Sequence, residues 1–268
     1  MGIMTDFARP DGTATKGYLA MAGHDRPGVI VIQEWWGLND QICGVADRFA
    51  RAGYNALAPD LYKGRLTTEP DEANHLMTGL DFPAATHQDL RGAALQLWKH
   101  SDKLAVMGFC MGGALTIAAA VHIHEVSAAV CFYGIPPKDF ADPAKIRVPF
   151  QGHFANQDDW CTPAAVNDLE QVLKSAGVKH EIYRYDAAHA FANERSPAYD
   201  VACTNQAWDR MSAFLKANIA YIGASTTRRL FDDCDSVIPR IGVSRALIRC
   251  HNARGCTRIF HEGIPPPS

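Results

Sequence analysis

The sequence predicts an α/β protein with a mostly parallel central sheet of about seven or eight strands and helices on both faces. Three observations predict it. Short β-rich runs alternate with helix-length segments, as in βαβ units. Several of those runs are apolar on successive residues, as expected for strands covered on both faces. Finally, the run KLAVM leads through a glycine-rich turn, GFCMGG, straight into an Ala-rich helical segment.

In chain order, the strand candidates are 17–23 (GYLAMAG), 29–34 (VIVIQE), 55–59 (NALAP), 103–109 (KLAVMGF), 128–133 (AAVCFY), 147–154 and 180–186 (HEIYRYD). A helix over 42–52 places Ile42, Val45, Ala46 and Phe49 on one face, and Gly53 stops it. One over 84–99 does the same with Leu90, Ala94, Leu97 and Trp98. Residues 163–176 follow Thr162 as an N-cap, with Pro163 at the first helical position, and end before Gly177. A last long helix is expected over about 197–220. The texture then changes. Residues 222–268 hold seven Arg, no Lys and four acidic residues, with a Pro-Pro-Pro run near the end. The expected organisation is a catalytic domain over 1–221 and an Arg-rich appendage over 222–268, poorly structured apart from a short helix around 240–250.

Composition removes several function classes. Hydrophobic residues make up 47% and charged residues 21% of the 268, an ordinary globular balance. The net charge of −3, with no basic stripe in the body of the chain, argues against nucleic acid as a partner. No apolar run is long enough for a bilayer, and no secretory leader is visible, so a cytoplasmic protein without membrane attachment is expected. Eight cysteines without a C-x-x-C pair read as reduced thiols, mostly buried. His122-x-His124-Glu125 lacks a third ligand at a compelling spacing, so no metal is expected. Neither a dinucleotide fingerprint nor a Walker A loop occurs, and no cofactor is implied.

The chemistry concentrates in Gly108-Phe109-Cys110-Met111-Gly112-Gly113, a G-x-C-x-G element. A side chain on a strained strand-to-helix turn needs glycine on both sides so that the flanking backbones can approach. The helix N-terminus favours a thiolate and offers N–H groups to a developing oxyanion. A nucleophile also needs a base and a group to orient it. Downstream, Gln157-Asp158-Asp159-Trp160 follows one strand and Asp186-Ala187-Ala188-His189 follows the next. Singly, His189 reads more readily as a surface-loop histidine, and Asp158 as a helix-start or turn aspartate, than as catalytic groups. Jointly, the order nucleophile, acid, histidine at three strand ends points to a catalytic triad.

The stretches QEWWGLN (33–39), APDLYKGR (58–65), GFCMGG (108–113), CFYG (131–134), the 152–159 loop and HAFAN (189–193) together resemble the dienelactone hydrolases, Cys-dependent members of the α/β-hydrolase superfamily. The resemblance covers about residues 14–220 and implies the α/β-hydrolase fold. It implies Cys110 as nucleophile, His189 as base and Asp158 as orienting acid. Counting from the strand favours Asp158; counting back from Pro163 favours Asp159. Glu34 matches the family glutamate that contacts the resting thiol, where like-charge repulsion disfavours the thiolate. The implied oxyanion donors are the backbone N–H groups of Trp35 and Met111.

One departure bears on substrate. The family's substrate-binding Arg four residues after the histidine is Asn193 here, and 69–77 (EPDEANHLM) lacks the other; Arg65 is the remaining local cation. Weakened carboxylate recognition points to a neutral, more apolar ester or lactone, with Trp36, Tyr133, Phe191 and Asn193 against it. The expected activity is hydrolysis of a lactone or carboxylic ester through a Cys-His-Asp triad and an acyl-enzyme, by a monomer or small homo-oligomer. Thioester hydrolysis or acyl transfer by the same triad is the nearest alternative. A non-catalytic thiol switch or binding protein is the alternative from another class.

Overall fold

A computed structural model of the chain describes residues 1–220. Eight strands form one sheet in the order β1-β2-β4-β3-β5-β6-β7-β8. They are β1 (Ile3–Ala8), β2 (Ala14–Ala20), β3 (Gly28–Ile32), β4 (Asn55–Pro59), β5 (Leu104–Phe109), β6 (Val126–Phe132), β7 (Phe150–Gln157) and β8 (His180–Ala188). From β3 to β8 all pairings are parallel; β2 runs against both β1 and β4. The helices are α1 (Asp40–Arg51), α2 (Pro70–Thr78), the short α3 (Phe82–Ala84), α4 (Arg91–Trp98), α5 (Met111–His122), α6 (Pro163–Ser175) and α7 (Val201–Ile219).

The uninterrupted apolar runs follow from the two cores. Side chains alternate across a strand, so Ile30 and Ile32 belong with Leu57, Val106 and residues of α4, α5 and α6 to the core on one face. Val29 and Val31 meet Ala105, Met107 and Val130 under α1 and α7 on the other. Each buried branched side chain stabilises the fold by about 1.5–3 kcal/mol.

Several expected boundaries move. β1 was not among the expected strands: only Phe7 of its six residues is buried, so its apolar signal is weak. The Pro10-Asp11-Gly12 turn pairs it with β2, which therefore starts at Ala14. The helix expected over 84–99 contains a π-helical turn over Ala85–Leu90 before α4. Trp98, expected inward, is 42% exposed. Helix α2 had no strong apolar face to announce it, since only Ala73 and Leu76 are buried. Helix α7 starts after its N-cap Asp200 rather than at 197. The expected appendage over 222–268, with its helix around 240–250, lies outside the described residues. No helix among the described residues is long and apolar enough to cross a membrane.

Register sets up the site. Ile32 pairs with Gly108, Gly108 with Cys131, and Phe132 with both Phe109 and His153. The residues just beyond those positions therefore leave the sheet along one edge. In the last pair an irregularity between Ala155 and Gln157 brings Gln157 opposite Ala188, so the next residues are Asp158 and His189.

Candidate active site

Cys110 is the residue between β5 and α5, with φ +54° and ψ −117°. A non-glycine residue in such a conformation costs about 1–3 kcal/mol and persists only where its surroundings hold it. Here its N–H donates to Phe132 O at 3.0 Å and its carbonyl accepts from Ala114 N at 3.1 Å. The flanking glycines are steric requirements. A Cβ on Gly108 would strike the Gly112 carbonyl, and one on Gly112 would strike the carbonyls of Ile32 and Gln33.

The histidine and its carboxylate are assembled. Asp158 Oδ2 and His189 Nδ1 lie 2.8 Å apart. Asp158 Oδ1 accepts from Trp160 N at 2.8 Å and Cys161 N at 2.9 Å. Burial opposes the Asp158 charge, but the His189 hydrogen bond and these N–H groups prevail and hold its pKa below the usual value. Asp159, the other carboxylate left open by the sequence, is exposed, and Asp158 is the one bonded to His189.

The Cys110 side is held in its protonated form. Burial first, and then the Glu34 charge, push the Cys110 thiol well above its ordinary pKa, against the Met111 backbone N–H. Glu34 is 2% exposed and accepts from Asn193 Nδ2 at 2.6 Å and Tyr133 Oη at 3.2 Å. Burial raises its own pKa to about 6, and the Asn193, His189 and Tyr133 contacts limit the rise.

Cys110, His189, Glu34, Trp35, Trp36, Met111, Tyr133 and Asn193 all border one cavity of about 690 Å³. Its mouth is aromatic: Trp35 makes edge contacts with Trp36 at 5.0 Å and Trp160 at 5.9 Å between ring centroids. Two substrate-binding expectations change. Phe191 is fully buried behind Tyr133 and Tyr185, at 5.5 and 4.9 Å, so it supports the wall rather than forming it. Asn193 lines the cavity, but one N–H of its amide donates to Glu34 and its Oδ1 accepts the Arg195 N–H.

Other residues were not anticipated. Met77 and Phe82, from α2 and α3, extend the apolar wall, and Cys161 adds a second thiol. Arg195 is the only Lys or Arg among the lining residues, 3.6 Å from an almost fully exposed Asp40. Its signal was present two residues beyond Asn193, but only the turn after β8 directs it to the cavity. Arg65 lies in the wall of a different cavity. His122 contacts Phe140 O at 3.2 Å, Glu125 pairs with Arg91, and no metal-holding cluster occurs among the described residues.

Comparisons with known proteins identify the family. The family model of the dienelactone hydrolase family matches residues 15–219. "Protein usf" of Aquifex pyrophilus is 34% identical over 228 residues, covering 81% of this chain and 98% of the relative. The "Putative carboxymethylenebutenolidase" of Aquifex aeolicus is 31% identical, with the same coverage. Among solved structures, the "Putative Dienelactone Hydrolase" of Klebsiella pneumoniae superposes with a TM-score of 0.70 at 27% identity, covering 80% of this chain and 98% of that one. The fold and these matches place the chain in the dienelactone hydrolase family, as a hydrolase of ester or lactone type.

Proposed function

We propose that the protein cleaves a carboxylic ester or lactone through an acyl-enzyme on Cys110, with His189 as base and acid and Asp158 as its orienting partner. The observation carrying this reading is the Asp158–His189 hydrogen bond of 2.8 Å behind the cavity that Cys110 borders. His189 takes the thiol proton as sulfur attacks the carbonyl carbon. The backbone N–H groups of Met111 and Trp35 receive the oxyanion. Collapse expels the alcohol, which leaves with the proton from His189. Water, deprotonated by His189, then attacks the thioester and releases the acid and the free thiol.

The thiol keeps its proton at rest, which fits an enzyme activated only with substrate in place. It fits a thiol switch less well, because oxidation-sensing cysteines carry lowered pKa values. The aromatic mouth and apolar walls support a neutral ester group as the preferred reacting part.

The test is rapid-quench mass spectrometry with 4-nitrophenyl acetate. An acetyl adduct on the Cys110 peptide, absent from Cys110→Ala along with turnover, is the expected result. Unchanged turnover by Cys110→Ala overturns the reading.

A further inference from the structure

The cavity that Cys110 borders has two unlike ends, on opposite faces of the sheet. At one end it is lined by Met77, Phe82 and Ile135, which also pack against the core that holds Leu115, Ile117 and Val166. Each of the three is only partly buried, so apolar surface is left for a ligand to cover. Phe82 is steadied by an edge contact with Phe140, 5.9 Å between ring centroids, while the unbranched Met77 adapts to what it covers. Among the described residues that line the cavity, none from α2, α3 or the β6–β7 connection is charged.

The other end is polar and belongs to the starts of α1 and α7, which cover the opposite face. Asn39 Oδ1 caps α1 by accepting the Ile42 N–H at 3.1 Å, and Arg195 pairs with Asp40 at 3.6 Å. Ser196 Oγ accepts the Ala198 N–H at 3.1 Å. The turn between β5 and α5 stands at the junction: Met111 belongs to the first core, and Cys110 packs on the second.

The position of His189 decides which end takes which half of an ester. Its Nδ1 is bonded to Asp158, so Nε2 is the nitrogen left to exchange a proton with a substrate. Ala190 packs on the α1–α7 core, and the chain runs on into Arg195 and Ser196, so the imidazole stands at the polar end. An alcohol that leaves with the proton of this ring departs on its side. The acyl group, bonded to sulfur, is left with the apolar end.

We propose, resting on the acyl-enzyme reading above, that the substrates are open-chain esters joining an apolar acid larger than acetate to a small or polar alcohol. The acyl chain lies against Met77, Phe82 and Ile135, and these three side chains set the preference for it. The alcohol lies towards Asn39 and Ser196. A cavity of about 690 Å³ has room for such a chain, far beyond an acetyl group.

The test uses two isomers that carry the same atoms and differ only in which side holds the chain: ethyl hexanoate and hexyl acetate. Each kcat/KM, followed by acid release at constant pH, is divided by the ester's rate constant for alkaline hydrolysis. The full chain is expected to favour ethyl hexanoate by about tenfold or more. Met77→Ser and Phe82→Ser should each lower that ratio by about threefold or more, with the fold checked by circular dichroism. A wild-type ratio near one, or a preference for hexyl acetate, overturns the proposal. So does a ratio unchanged in both folded variants, or turnover of neither isomer. The Cys110 adduct formed with 4-nitrophenyl acetate separates the two levels. If the adduct forms and the ratio fails, only the placement of the acyl chain falls; if no adduct forms, the acyl-enzyme reading falls with it.

Discussion

The two sides of the active cavity are prepared to different degrees. On the β7–β8 side, Asp158 and His189 are already bonded, and the carboxylate is held ionised by three donors. On the β3–β5 side, Cys110 is buried beside the Glu34 carboxylate and keeps its proton. In the function proposed above, the base side is therefore already assembled in the free protein, while the thiol side is not. The difference has a simple origin. The base side is joined by hydrogen bonds that favour charge, and the nucleophile side by a buried pair of acids that disfavour it.

The largest expected effect comes from the nucleophile. Cys110→Ser should retain the fold but lose activity by about 10²-fold or more, because a hydroxyl is far harder to deprotonate than a thiol. Steady-state kcat for a 4-nitrophenyl ester, with circular dichroism for the fold, measures it. A serine variant with unchanged kcat removes Cys110 from its role.

Next comes the preassembled side. Asp158→Asn is expected to lower kcat by about 10²- to 10⁴-fold through loss of the partner that fixes the imidazole tautomer. Asp159→Asn, at an exposed position, should change kcat less than about twofold. Reversed effects would show that the bonded carboxylate is not the functional one.

The restraint on the thiol predicts a smaller, pH-dependent effect. Glu34→Gln removes the neighbouring charge and should speed iodoacetamide alkylation of Cys110 by about tenfold at pH 7.5. Glu34 has its pKa raised to about 6, so in the wild type it is ionised above that pH and protonated below it. The two rate profiles should therefore separate above pH 6 and converge below it. Parallel profiles across pH 5–8 would mean that burial alone holds the thiol.

The smallest effect concerns the rim. Arg195→Ala should lower kcat/KM for a carboxylate-bearing lactone relative to its neutral ester by about two- to fivefold, since an exposed cation is worth little. The ratio should fall further at low salt, where screening is weaker. No change in the ratio assigns Arg195 to the Asp40 pair alone.

What was legible in the sequence was local. The β3 and β5 runs, the GFCMGG turn and the Thr162–Pro163 helix start are each decided by neighbours along the chain, through side-chain alternation, backbone crowding and capping. β1 and α2 escaped because each buries only one or two side chains, so the apolar pattern on which such readings depend is nearly absent. Asn193 and Phe191 show the same limit at the site. A residue's position in the chain tells which loop carries it, not whether its amide is already bound or its ring faces inward.

By itself, the sequence determined the α/β class, the strained turn that carries Cys110, and the order in which Cys110, the Asp158-Asp159 pair and His189 reach the strand ends. Those follow from periodicity and from the space that glycine alone leaves to the backbone. Only the tertiary structure decided that Asp158 rather than Asp159 meets His189, that Asn193 serves Glu34, and that Arg195 borders the cavity while Arg65 does not. The physical reason is range. Hydrogen bonds and cavity walls join residues as far apart as Glu34 and Asn193, and strand register with loop direction, absent from any local pattern, sets which of them meet.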